Sequence, residues 1–351
     1  MVRILLKKKG RGFVLKNSMT PHITQIKVNK SIEILKVSVS KHPKGYNDHI
    51  GFDIDERLIK KILIMRYQKV SITTIQSKND LDKLVLRKPD LVFSGVKYFN
   101  FKKEKIWLND FLKQNNISHI TSSAKDLQSE SNKSIAKDII RKAKIITANS
   151  LVVYANKMPK SFALPMPFPV FVKPLIGGNS KGVDEHSVVT NSTELKKKIK
   201  DIQKKYNCAS IVETYLRGKE YTVGIIQDTV TGNLIALPAE IIIEKNKQGQ
   251  RILDFKMKKE NTEELIKVSD IKLFNVLADM AKKSFKALKG RSIGRIDIRM
   301  NENFIPHFIE ANLMPGLRGG YFYRCCNLNL NINYQEMILR IVNNGLTLSK
   351  I

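Results

Sequence analysis

Acidic side chains are scarce in this sequence. Its 351 residues carry 32 Asp and Glu against 62 Lys and Arg, a formal charge of +30, and no acidic residue precedes Glu33. An excess of that size raises the question of a nucleic-acid partner, because clustered Lys and Arg neutralise phosphates. The excess is mostly lysine and spread along the whole chain, including the amphipathic stretch 194–206. Charge so distributed is a weak argument for a partner. No zinc-ligand spacing and no aromatic–glycine RNA-binding signature accompanies it, so nucleic acid is not expected. Cysteine is scarce too: Cys208 and the adjacent Cys325 and Cys326 are all there is. Three cysteines exclude a disulfide framework and a four-ligand metal site, and they fit a reducing compartment, hence the cytoplasm. Long apolar runs are missing as well. None approaches the ~20 residues of a membrane span, so no membrane segment is expected.

What remains is a length sufficient for two or three sub-domains. The basic stretch at the start has apolar runs too short for a secretory signal and lacks the serine of a transit peptide. It is expected to be a disordered arm over 1–30 or the product of a start codon placed too early. From Ser31 the pattern settles into alternation. Residues 32–39 have the period of a strand, 55–67 of a helix, 70–75 and 89–94 of strands, and 107–114 of a helix. That rhythm predicts an open α/β sheet of Rossmann-like type. No G-x-G-x-x-G accompanies it, so no dinucleotide site is expected.

The most informative stretch is 294–316, GRIDIRMNENFIPHFIEANLMPG. Two extended runs flank a polar turn, as in a β-hairpin. Arg295, Asp297 and Arg299 fall on one face of the first run, and Glu310 and Asn312 share a face of the second. Two carboxylates and a carboxamide make an all-oxygen site of the kind Mg²⁺ accepts, with water and phosphates completing its octahedron. An R-x-D strand followed by E-x-N and a Pro-Gly turn resembles the metal end of the D-alanine–D-alanine ligase family of ATP-grasp enzymes. The resemblance implies that Asp297, Glu310 and Asn312 hold Mg²⁺ (or Mn²⁺) and that Arg295 contacts the transferred phosphoryl group.

Four other segments follow in the order of that family. In the helical pattern over 127–144, Lys133 and Lys137 stand one turn apart on one face, a mild repulsion that an anion between them would relieve. The family has D-K-x-x-x-K here, with a lysine near the nucleotide phosphates; Asn132 replaces the aspartate, and the two lysines are carried over together. The run VFVKPLIGGNSKGV over 170–183 sets a lysine at a strand end before a glycine-rich loop, whose backbone N–H groups can turn towards an anion. It resembles the family's phosphate-binding strand and loop, implying that Lys173, Gly178 and Ser180 contact nucleotide. IVETYLRGKEYTVGII over 211–226 resembles the family's hinge. There Glu213 would face adenine, Tyr215 and Leu216 would offer backbone contacts, and Glu220 would take ribose hydroxyls. Within 236–259, Asp254 and Lys258 match the segment that covers the nucleotide, and Lys258 joins Arg295 as an expected catalytic cation.

The resemblance therefore implies an ATP-grasp fold of α/β class, with α+β sub-domains, behind the N-terminal open sheet. Its expected divisions are the arm, 31–124, 125–216 and 217–351. The implied activity is ADP-forming ligation of a carboxylate to an amine through an acyl phosphate, with ATP and small amino acids as substrates. On the substrate side the match lapses. Asn179 stands for a serine, Lys259 for a tyrosine, and Arg318, Gly319 and Gly320 replace a serine-containing segment. A ligase for another amino-acid pair, or a nucleotide-binding protein of this fold without ligase activity, are the alternatives; a homodimer is left open.

Overall fold

The computed structural model describes residues 27–37, 52, 54–101, 104–157, 164–178, 180–228, 231–260 and 262–348, apart from the side chains of Val37 and Lys259. The basic arm lies outside these residues as far as position 26, and so does Asn179.

The first layer alternates as its periodicity predicts. Strand β1 (Val28–Val37), helix α1 (Glu56–Leu63), strand β2 (Tyr67–Ile75), helix α2 (Lys78–Arg87) and strand β3 (Leu91–Phe93) lead to the hairpin β4 (Tyr98–Phe101) and β5 (Glu104–Trp107), then helix α3 (Leu108–Gln114) and strand β6 (Ser118–His119). The sheet runs β2-β1-β3-β6 with every pair parallel. Helix 55–67 is shorter than its pattern suggests. Tyr67 is drawn out of it to open β2, where its ring is buried and its hydroxyl donates to Asn343 Oδ1 at 2.7 Å. The apolar pattern of 78–87 is short, and helix α2 is fixed instead at its start, where Ser77 and Asp80 form a capping box.

The single helix expected over 127–144 is two, α4 (Ala124–Ser131) and α5 (Lys133–Lys142). Asn132 separates them with an extended backbone, and its side-chain oxygen accepts from the N–H groups of Ser134 and Ile135 at 3.1 and 3.3 Å. It is the N-cap of α5, a role Asn fills as well as Asp.

The second sheet follows with β7 (Ser150–Val153), β8 (Val170–Pro174), β9 (Val188–Val189), helix α6 (Ser192–Tyr206) and β10 (Ser210–Thr214). Its order is β7-β10-β8-β9, all antiparallel, and Leu195, Ile199 and Ile202 of α6 pack into a core with Val170, Val172 and Val212. The third sheet contains β11 (Glu220–Gln227), β12 (Leu234–Ile242), β13 (Glu264–Lys267), β14 (Ile293–Met300) and β15 (Pro306–Asn312), ordered β13-β12-β11-β14-β15. Helix α7 (Phe255–Glu260) precedes β13 and α8 (Ile271–Ala287) precedes β14. Strands β10 and β11, adjacent in sequence, do not pair with each other but join different sheets. The link turns at Gly218, where a Cβ would come within 2.6 Å of Met300 Cβ, so only glycine fits.

Helix α9 (Tyr321–Leu330) packs on β11 and β12, whereas α10 (Tyr334–Leu348) returns to the first sheet, against β3, β6 and α1. A Cβ at Gly345 would meet Leu91 Cδ1 at 2.3 Å. One continuous core thus runs from Ile34 and Phe93 through Ile338 and Ile341 to Phe285 and Ile296.

Candidate active site

The third sheet and the end of the second enclose a cleft lined by residues of both, among them Lys173, Glu213, Glu220 and Glu310. Its polar floor comes from β14 and β15. Arg295 stands opposite Asn312 and Asp297 opposite Glu310, but the next pair is Ile298 with Phe308, so Ile309 is an extra residue. This bulge reverses the alternation. Phe308 is completely buried in the core, while Glu310, two positions on, lines the cleft. Asp297 is fixed from both sides. Arg295 donates to its two oxygens at 2.9 and 2.8 Å, and the buried Thr222 hydroxyl donates to Oδ1 at 2.8 Å. Glu310 has no hydrogen bond or ion pair among the described residues. Burial alone would raise its pKa, yet Lys258, Lys133, Lys173 and Arg295 together pull it down to about 2.

Lysines converge from the second sheet and α5. Lys173 at the end of β8 and Lys137 on α5 approach opposite oxygens of the buried Glu213 on β10, at 3.1 and 3.2 Å. Burial would raise the Glu213 pKa, but the two ammonium groups win and lower it. Lys137 has no exposed surface; burial depresses its pKa to about 8 despite Glu213, and it also donates to Thr147 Oγ1 at 2.8 Å. The split of the expected helix separates the two carried-over lysines in role. Lys133, in the first turn of α5, lines the cleft and donates to the Gly177 carbonyl, whereas Lys137 stands behind Glu213. Glu213 also borders the cleft, but each of its oxygens already faces a lysine.

Two segments cover this floor and are tied to each other. In the glycine-rich loop Gly177, Ser180 and Gly182 all have positive φ, and the Lys181 and Val183 N–H groups donate to Gly178 O and Ser180 O at 3.2 and 3.0 Å. The Ser180 hydroxyl donates to the Leu253 carbonyl at 2.9 Å, and Phe255 N–H donates to Val183 O at 3.3 Å. Asp254 accepts from Met257 N–H at the start of α7, which carries Lys258 into the cleft. Gly178, Tyr215, Leu216 and Glu220 complete the wall. Most of the expected residues thus meet in one place, with Arg295 and Asn312 at its edge beside Asp297 and Lys137 behind. Two neighbours were not singled out by the sequence. Arg299 lies buried in the wall, ion-paired to Glu220 at 3.1 Å. Tyr321, the first residue of α9, offers its buried ring to Arg295 at 5.2 Å and to Lys258 at 5.7 Å. The alternation that placed Arg299 on the Asp297 face was its only signal. Arg318 lies away from these groups, exposed and 3.9 Å from Asp55, the N-cap of α1.

A sequence model of the D-Ala–D-Ala ligase C-terminus matches residues 140–343. The chain belongs to the D-Ala–D-Ala ligase family. A D-alanine–D-alanine ligase of Clostridium perfringens (strain SM101) is 27% identical over 188 residues, 52% of this chain and 56% of the relative. One from Clostridium botulinum (strain Eklund 17B) is 25% identical over 217 residues, 61% of this chain and 67% of the other. The chain thus spans little more than half the length of the first of these relatives. In three dimensions the likeness is longer. The ATP-complexed D-alanine–D-alanine ligase of Bacillus anthracis superimposes with a TM-score of 0.63 over 92% of this chain and 99% of its own, at 19% identity. The ligase of Coxiella burnetii gives 0.61 over 92% and 95%, at 16%. The fold is that of the ATP-grasp ligases, with the expected open sheet in front.

Magnesium, which the family resemblance implies, fits the donors present. Among the described residues no group of three or more His, Cys, Asp or Glu side chains is arranged to hold a metal. An ion here therefore depends on two carboxylates, an amide and oxygens from outside the protein, a sparse set that suits magnesium. Glu310 is uncommitted, and Asp297 Oδ2, which takes one Arg295 hydrogen bond, keeps a lone pair. Asn312 would ligate through its side-chain oxygen, since its Nδ2, buried without a partner, is a donor only.

Proposed function

We propose that this chain is an ADP-forming carboxylate–amine ligase that builds an amide, dipeptide-like bond between small amino acids. Its carboxylate substrate takes the γ-phosphoryl group of ATP to give an acyl phosphate and ADP; the amine then attacks the acyl carbon and phosphate leaves. Such transfer needs positioning and neutralisation of charge more than a nucleophile on the protein. The observation that carries this reading is the convergence of Lys133, Lys173, Lys258 and Arg295 on Glu310, across the β14–β15 pair from Asp297.

In this reading Lys173, Gly178 and Ser180 hold the phosphates. Glu220 takes ribose, and the hinge at Tyr215 and Leu216 meets the base. Lys258 and Arg295 face the oxygens on which charge builds up. Asp297, Glu310 and Asn312 would hold Mg²⁺ (or Mn²⁺), which draws charge from the β- and γ-phosphates when bound. Thr222 and Arg295 keep Asp297 in place for that duty. The three cysteines are free, and no helix of the described residues is long and apolar enough to cross a membrane; both support a cytoplasmic enzyme.

A second reading concerns the amino acids. Lys259, Arg318 and the glycines before α9 stand where the family resemblance calls for other residues, so D-alanine need not fill both positions. ADP release from Mg-ATP, screened across amino acids, tests both readings. Release that depends on an added amino acid is expected. Nucleotide binding without such release would reduce the chain to a binding protein, and D-alanine ahead of all others would remove the second reading.

A further inference from the structure

Arg299 is a permanent cation with only 6% of its surface exposed, on the wall of a cleft proposed to take a nucleotide. Its guanidinium is committed in three directions. One amino group donates to Glu220 Oε2 at 3.1 Å. The other donates to the Arg251 carbonyl at 2.6 Å and lies 3.5 Å from the Tyr215 hydroxyl. The plane lies over the Tyr215 ring, 5.3 Å from its centroid. Tyr215 completes the circuit, because its hydroxyl accepts from Arg251 N–H at 2.9 Å. Two wall residues are thereby joined to the segment before Leu253, and Leu253 in turn accepts from Ser180 of the glycine-rich loop. Arg299 Nε is buried with no partner of its own.

We propose that Arg299 is a positioning residue that sets the nucleotide selectivity of this chain. It holds Glu220 by one oxygen and leaves the other as a fixed acceptor for a single ribose hydroxyl. The same guanidinium pins Arg251, so that the covering segment closes when the ribose is in place. The planar guanidinium sets one amino group on the Glu220 carboxylate and the other on the Arg251 carbonyl, a fixed spacing that a lysine ammonium would not supply. An unguided Glu220 would turn towards Lys258, whose charge also acts on it. The ligand class is a ribonucleoside triphosphate in preference to its deoxy counterpart. The inference rests on the proposed nucleotide site.

The test compares binding of ATP, 2′-deoxy-ATP and 3′-deoxy-ATP, each with magnesium, to the full chain and to Arg299→Met, Glu220→Gln and the double variant. A hydrogen bond to a charged group corresponds to about tenfold in affinity. The parent should therefore prefer ATP to one deoxy analogue by about that factor. Arg299→Met should bring the ratio close to one, and the double variant should show the same ratio as Glu220→Gln, because Arg299 acts on selectivity through Glu220. The double variant also removes both charges of the pair, so it serves if the single change fails to fold. Trypsin cleavage after Arg251 should be slowed by ATP in the parent and not in Arg299→Met. A parent that binds all three nucleotides equally, or an Arg299→Met that keeps both ratio and protection, overturns the inference while leaving the nucleotide site standing. A parent that binds none overturns both.

Discussion

Lys137 Nζ lies 3.2 Å from Glu213, with no part of the lysine exposed, while Lys173 holds the other oxygen of the same carboxylate. The two lysines are equivalent to Glu213 and inequivalent to the cleft, since only Lys173 lines it. Lys173→Met should weaken ATP binding by ~1.5–3 kcal/mol, the range of a charge-assisted contact. Lys137→Met should act chiefly on stability. The lysine pKa, lowered to about 8 by burial, means that the unfolded chain binds its proton more tightly. Parent stability relative to Lys137→Met should therefore rise between about pH 8 and ~10.4 and be flat below. Titration calorimetry with ATP and denaturant melts across that range check the pair.

Glu310→Gln should remove turnover while leaving the fold intact. The change deletes the uncommitted carboxylate that would hold magnesium against the phosphates. Initial rates over a magnesium series, with circular dichroism as the control, read it. Near-parental rates at low magnesium would remove Glu310 from the metal set.

The same carboxylate should leave a mark on acid stability. Its pKa of about 2, set by burial overcome by four cations, lies below the ~4.3 of an unfolded glutamate. The stability it contributes is present above that value and lost as pH falls towards 2, up to about 3 kcal/mol. The gap in unfolding free energy between parent and Glu310→Gln should close over that window and stay constant from pH 5 to 7.

Asn132→Ala removes the cap of α5 and should cost ~1 kcal/mol. Lys133 is the next residue, so the affinity for ATP should fall as well. Asn132→Asp, which restores the residue of the family pattern, should keep both. Thermal melts and nucleotide titrations on the two variants distinguish capping from charge.

The site was more legible in the sequence than the fold around it. Asp297, Glu310 and Asn312 could be placed on one side of a hairpin because strand alternation is simple and a polar turn marks its centre. The bulge at Ile309 was not legible, since an extra apolar residue leaves the period on either side intact. Asn132 was readable as a departure from a family pattern, but its capping depends on backbone angles that helical periodicity runs straight through. The two strands around Arg217-Gly218 look like a hairpin, and only tertiary pairing assigns them to different sheets. Arg299 was hidden by composition. In a chain with 62 basic residues, one more arginine on a strand carries no signal until burial and Glu220 single it out.

The acyl-phosphate route can be followed by an isotope. An amino acid labelled with ¹⁸O in its carboxylate is supplied with Mg-ATP, and the released phosphate and the amide product are weighed by mass spectrometry. Attack by the carboxylate on the γ-phosphate carries one labelled oxygen into phosphate for each amide formed. Labelled phosphate in step with a new amide is the expected result. Unlabelled phosphate beside a new amide would contradict the acyl-phosphate route, and ADP formed without any amide would contradict ligation in this cleft.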